Sequence, residues 1–423
     1  MSSDKSSTFL KNFQFRKFQA YGFLKNLRFF EAFLLLYFLS IDLSYTQIGS
    51  LYAIREISRY IFEIPSGLMA DAWGRRRTLA SSFVFYIFSF LLFYTGSSYV
   101  FMIIAMFCFA IGDAFRSGTH KSMIFEYLRL KGWEDQKVNY YGHTRAASQA
   151  GSAVSSVLGA LVVFFTKEYR LIFLFAIIPY IIDFINIITY PSELEGKGRN
   201  IRRTEIFETF RETFRDFIIS FRNPMMLGRI FILSSFSGYY RSVRDYLQAL
   251  IKNGIVLIPF FQNLEKEQRI SILIGVVYFF IYLMNSIASG NSAKFLKKMK
   301  NSRRALYLTL LFGFIAGLGS GIFYMSDYKL VAIIPFLLIF IIENLRKPIG
   351  VSYISESMDK NILASSLSAE SQLSSIMAGI YAFLVGYLAD ILTVGKSLSI
   401  VSGSLVIAML IILLVSKIKN TKS

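Results

Sequence analysis

Ionisable side chains interrupt several of the longest apolar runs in this sequence, and they set the chemistry open to it. Between residues 46 and 70 stand Arg55, Glu56, Arg59 and Glu63. Steps of four residues place Arg55, Arg59 and Glu63 on one helical face, and Glu56–Arg59 and Arg59–Glu63 can both pair. Between 100 and 122 the run carries Asp113, Arg116, Ser117 and His120, followed by Lys121 and Glu126. On one unbroken helix, Asp113, Ser117 and His120 would fall within an arc of about 60°. A carboxyl at such a depth either takes up and releases a proton or stays ionised beside an arginine. Asp113 next to Arg116 fits both readings. Glu63, and Glu31 about one turn inside the first run, are further candidates for proton coupling. Glu31 could pair with Arg28.

The chain has two histidines, His120 and His143. Imidazole titrates near neutrality and is the commonest transition-metal ligand. With Asp113, the two histidines make a conceivable divalent-metal site, although their spacing matches no recognised metal motif. The alternative is a pair of interfacial histidines at helix ends. In the run from 226 to 250, Arg241 and Asp245 are four residues apart and can pair. Arg244 has no nearby acid except its neighbour Asp245. It would meet an anionic group of a substrate, or snorkel to the outer interface. Asn285 and Glu370 complete a set of expected cavity-lining groups that also includes Arg59, Arg116, His120, Arg241 and Arg244.

These residues need elements to position them. A membrane-crossing helix takes about 20 apolar residues. Twelve runs qualify, near 27–44, 46–70, 78–96, 100–122, 143–165, 170–190, 226–250, 270–289, 304–324, 329–348, 364–388 and 396–416. Of the 46 Lys and Arg residues, 34 fall in segments assigned to one side, 7 on the other and 5 within runs. The positive-inside rule then places the richer side, and both termini, in the cytoplasm. The formal net charge of +19 is accounted for by loops facing anionic lipid rather than by nucleic acid. The division expected is a cytoplasmic arm over 1–26, a bundle over 27–190, a cytoplasmic linker over 191–225, a second bundle over 226–416, and a tail over 417–423. Within the linker, Phe207, Phe210, Phe214, Phe217 and Phe221 mark one face of an amphipathic helix lying along the membrane. Small residues recur every four positions at Gly151, Ser155 and Gly159, and again at Gly313, Gly317 and Gly321. That spacing lets helix backbones approach closely.

Between the second and third runs lies Gly67-Leu68-Met69-Ala70-Asp71-Ala72-Trp73-Gly74-Arg75-Arg76-Arg77. The stretch resembles the signature of the major facilitator superfamily, with Met69 in place of the usual Leu and Ala72 in place of a frequent Arg. A degenerate copy beginning Gly290-Asn291 keeps the glycine and the basic cluster through Arg303-Arg304, without an acid matching Asp71. The resemblance covers nearly all of residues 27–416. It implies an all-α membrane protein with twelve transmembrane helices in two pseudo-symmetric six-helix bundles. It further implies a gate built from Gly67, Asp71, Gly74, Arg75 and Glu126. In this gate Arg75 would pair with Glu126 and Asp71 would face the start of the eleventh helix, holding an outward-open arrangement.

No phosphate-binding Gly-x-x-x-x-Gly-Lys-(Ser/Thr) loop, catalytic triad or dinucleotide fingerprint is present. The sequence therefore reads as no enzyme and calls for no cofactor. The function expected is secondary active transport of a small molecule or ion by alternating access, coupled to protons and running as export. The working unit would be a monomer in the lipid of a bacterial inner or plasma membrane. Two alternatives stand beside it: a divalent-metal exporter using His120, His143 and Asp113, and a membrane receptor or scaffold that moves nothing.

Overall fold

The computed structural model describes residues 11–196, 224–255, 262–299, 301–355 and 360–421, with isolated positions at 208, 211 and 215. The expected amphipathic linker helix over 207–221 lies outside the described residues. Within them the chain forms fifteen α-helices and no strand. Eight helical stretches are long and apolar enough to cross a membrane unaided.

Fifteen helices make twelve spans because three spans are broken. The first consists of α1 (Phe13–Leu24) and α2 (Leu34–Ser40), and the second is α3 (Tyr45–Ala72). The third is α4 (Arg75–Thr95), and the fourth joins α5 (Tyr99–Arg116) to α6 (Thr119–Leu130). Helices α7 (Lys137–Thr166) and α8 (Leu171–Ile188) close the first half. The seventh span joins α9 (Pro224–Val243) to α10 (Tyr246–Gly254). Then follow α11 (Lys266–Met299), α12 (Ser302–Met325), α13 (Ile333–Ser355), α14 (Lys360–Ile391) and α15 (Val394–Thr421).

Local chemistry fixes where these helices begin. Asn12, Ser98 and Asn301 cap α1, α5 and α12 with their side chains, and Ser44 with Gln47 forms a capping box at α3. Gly74 links α3 to α4 at φ 105°, and a Cβ there would fall 2.1 Å from Glu195 Oε1, so the motif position accepts only glycine.

The first span departs from expectation. It begins at Phe13, not near residue 27, and α1 is no surface arm. Phe15, Phe18 and Tyr21 are buried, and α1 packs against α7 and α8. Its charges, spread from Arg16 to Arg28, hide this span from a search for apolar runs. The close-packing stripe of α7 serves it: Cβ atoms on Gly151 and Gly159 would lie 2.4 and 2.5 Å from the carbonyl oxygens of Phe23 and Phe29.

The two halves, α1–α8 and α9–α15, meet along two seams, α3 against α14 and α7 against α11. An even number of spans puts both described ends on the side of the 71–77 loop, hereafter the loop end. The opposite side is the far end.

Candidate translocation cavity

Between the halves lies a cavity of about 680 Å³. All three broken spans open onto it. Lys25, Arg28 and Glu31 come from the first break, Arg116, Ser117 and Gly118 from the second, and Arg244 and Asp245 from the third. At membrane depth, backbone that leaves the helix is tolerated where it lines a cavity or is covered by protein. Short-range turns satisfy the first break, among them Asn26 N–H to Phe23 O at 3.1 Å and Glu31 N–H to Arg28 O at 2.9 Å. Gly118, at φ 71°, turns the chain at the second.

The charges pair across elements in a pattern that spacing along one helix does not give. Asp113 binds Arg116 at 2.9 Å and Arg28, from the first span, at 3.1 Å, and it also accepts the Tyr86 hydroxyl. Glu31 therefore does not pair with Arg28. It meets Arg244 of the other half at 3.4 Å, and Arg244 also reaches Asp245 at 3.6 Å. Glu56 collects three arginines: Arg55 at 3.4 Å, Arg59 at 3.9 Å and Arg241 at 3.3 Å. Arg241 thus pairs with Glu56 across the seam and not with Asp245. Glu63 accepts from the Ser117 hydroxyl at 3.1 Å and has no cation within 4 Å among the described residues. In all, the lining holds ten Lys and Arg side chains against five Asp and Glu.

Among the expected cavity residues, Arg59, Arg116, His120, Arg241 and Arg244 line this space, as do Glu31, Asp113 and Glu63. Asn285 and Glu370 do not. Asn285 is buried in α11 with its Oδ1 unpartnered among the described residues, and Glu370 accepts the Ser374 hydroxyl at 3.0 Å within α14. Residues that spacing passed over include Lys25, Arg145 and Lys347. Their place in the lining depends on how helices of both halves pack, which spacing along one helix does not give.

The metal site does not form. The break at Gly118 turns His120 away from the arc shared by Asp113 and Ser117. Its ring stacks on Tyr21 at 3.6 Å and its Nε2 lies 3.2 Å from the Tyr190 hydroxyl. His143 is exposed, with Nδ1 2.8 Å from the Asn139 carbonyl. No group of three His, Cys, Asp or Glu among the described residues could hold an ion.

The far end is shut. Gln248 of α10 accepts the backbone N–H of Leu35 at 2.9 Å and donates to the Glu31 carbonyl at 3.1 Å. Asp390 caps α3 by accepting from Tyr45 N–H at 2.9 Å and Thr46 N–H at 2.7 Å. Lys167 pairs with Glu265. Gly49 and Gly386 let α3 and α14 touch backbone to backbone, since a Cβ on Gly49 would lie 2.3 Å from the Ala382 carbonyl.

The loop end is open. Among the described residues, Cβ atoms on Gly67 and Gly290 would meet nothing within 4 Å, and Asp71, Lys121, Arg145 and Lys347 are exposed. The expected Arg75–Glu126 pair is absent. Glu126 binds Arg129 at 2.6 Å, while Arg76 and Arg77 reach Glu195 at 2.8 and 3.6 Å. Arg75 and Glu126 both belong to the first half, so the parting of the halves is not what separates them: Glu126 is taken by Arg129, one turn on along α6.

Comparison with known proteins agrees with this architecture. The sequence model of the Major Facilitator Superfamily matches residues 23–380. An uncharacterized MFS-type transporter, YxaM of Bacillus subtilis (strain 168), is 24% identical over 402 residues, covering 92% of each chain. Among solved structures, the nucleoside transporter NupG superposes with a TM-score of 0.75 at 13% identity, covering 94% of this chain and 98% of its own. A POT family transporter in complex with 5-aminolevulinic acid gives 0.69 at 12% identity, covering 95% and 94%.

Proposed function

We propose an alternating-access cycle for this chain, which belongs to the Major Facilitator Superfamily and is a secondary transporter of a small molecule, not an enzyme. The observation that carries the proposal is the asymmetry of the halves. They are sealed at the far end and parted at the loop end, around a charged cavity to which both contribute. In the proposed cycle the bundles rock about this cavity. The far-end contacts release, the loop end closes, Asp71 then faces the start of the eleventh span across the seam, and Arg75 turns to Glu126 within the first half. The loop end is taken as cytoplasmic, supported by the 34 of 46 Lys and Arg assigned to it. The present arrangement is then inward-open. In it solute would load from the cytoplasm and leave at the far end, against inward proton movement. Among the three candidate acids, Glu63 is the one whose surroundings best support proton exchange. The proposed unit is one chain in the bilayer, because a single chain supplies both halves.

A reversible lock tests the cycle. In a Cys108→Ser background, a Thr46→Cys/Asp390→Cys pair joins α3 to α14 at the far end. Oxidation should stop uptake into proteoliposomes and reduction should restore it. Flux unchanged by the closed disulfide would sink the alternating-access reading.

A further inference from the structure

The cavity is over-supplied with positive charge. Its ten Lys and Arg side chains and five acids leave a surplus of five. Uncompensated charge at membrane depth is expensive, and it persists where a pathway or ligand uses it. The acids do not absorb the surplus, because four of the five already share six arginines. Lys25, Lys121, Arg145 and Lys347 make no ion pair with any described residue.

The surplus also has a focus. Arg59 of α3 and Arg241 of α9 belong to opposite halves, yet both aim at one spot. Their guanidinium nitrogens lie 3.4 and 3.1 Å from the Ser375 hydroxyl oxygen, and 3.9 and 3.3 Å from Glu56 Oε2. Forked donors converging in this way suit a planar or tetrahedral oxyanion. Lys25 from the first half and Lys347 from the second add unpaired charge along the same cavity. Phe30, Leu34 and Phe109 give it an apolar wall beside the charges. A ligand that satisfied both would carry an organic body as well as an anionic head.

We infer that the solute is a small organic anion with at least two negative charges, a phosphate ester or a polycarboxylate, clamped between the halves by Arg59 and Arg241. This rests on the transport reading and names its substrate class. An anion bridging the two arginines interacts best when the halves come together, so its binding free energy favours closure of the loop end. An empty cavity, with like charges facing across the gap, resists that closure.

The test uses the purified full chain in detergent, where binding is read without translocation. Thermal unfolding is followed with paired probes: adenosine monophosphate against adenosine, and citrate against glucose. Binding to the folded state raises the melting temperature by mass action. The expected result is a concentration-dependent rise with the anion of at least one pair, none with its neutral partner, and a smaller rise at high salt. Which pair responds tells phosphate from carboxylate recognition. Arg241→Gln leaves Arg55 and Arg59 on Glu56, and Lys347→Gln removes no ion pair, so both variants should fold. Each should weaken the apparent affinity by at least about tenfold, or about 1.4 kcal/mol, and Arg241→Lys should recover part of the loss.

Equal stabilisation by the neutral partners overturns the inference, as does no rise with any anion, or unchanged affinity in the variants. A rise matched by sodium sulfate would mean an adventitious ion only and would also overturn it. The two readings fail separately. Anion binding without flux in the disulfide assay removes transport and keeps the ligand class, while flux of a neutral solute without anion binding does the reverse.

Discussion

Glu63 is the acid we propose for proton coupling, on the ground of its ion-pair geometry. Asp113 is neutralised by two arginines and Glu56 by three, while Glu31 and Asp245 share one. These four acids serve as counter-ions to the arginines. Among the described residues Glu63 has only the Ser117 hydroxyl, which can donate to a carboxylate or accept from a carboxyl. Glu63→Gln is therefore expected to abolish flux driven by a pH gradient and to spare solute counterflow at equal pH. Gradient-driven flux surviving in that variant would reassign the coupling. Asp113→Asn should act differently, leaving Arg28 and Arg116 without a counter-charge. It is expected to cost about 3 kcal/mol of stability, seen as a lower unfolding temperature.

At the scale of elements, the two halves repeat one device. The fourth span carries Asp113 and Arg116, and the tenth carries Glu343 and Arg346, in each case an acid three residues before an arginine. Each acid also binds the first span of its own half: Asp113 binds Arg28 of span one, and Glu343 accepts from Ser237 of span seven at 3.2 Å. Arg346 is 2% exposed, 2.8 Å from Glu343, and donates to Ser237 and to the Leu233 carbonyl. Its role is therefore to tie α9 to α13, not to touch solute. Arg346→Ala leaves Glu343 buried without its cation and should lower stability by about 3 kcal/mol. Thermal unfolding in detergent measures this. A loss within experimental error would show that the pair does not hold the helices. In the fourth span, Gly118→Val places a β-branched residue at φ 71°, and the backbone strain should lower the unfolding temperature there too.

Across the whole molecule, the balance between the two openings rests on small residues at the far-end seam. Gly49 lies against the Ala382 carbonyl, and Gly386 against that of Tyr45. A side chain at position 49 has no room while that end is shut. Gly49→Val should therefore shift the population toward a far-end-open, loop-end-closed state. A single cysteine at Ser148, which lines the cavity, reports the shift in a Cys108→Ser background. Its labelling from the loop end should slow in the Gly49→Val variant. Labelling at an unchanged rate would mean that the seam does not set the balance.

The sequence by itself determined the membrane class, twelve spans, two halves, the 71–77 loop and most of the charged residues that now line the cavity. Those features depend on local quantities: the length of apolar runs, the tally of charges between them, and a short motif with its own glycine geometry. The tertiary structure decided how the charges are shared. Glu31 goes to Arg244 and not Arg28, and Arg241 to Glu56 and not Asp245. It also decided that α1 belongs to the bundle, that Asn285 and Glu370 are not part of the cavity lining, and that two histidines on neighbouring spans share no ion. The physical reason is distance. Spacing along a helix predicts partners three or four residues away. In a two-bundle cavity the competing partners stand on other helices, up to about two hundred residues distant in sequence, and the helix breaks at Lys25–Phe33, Ser117–Gly118 and Arg244–Asp245 reset the faces that periodicity assumes.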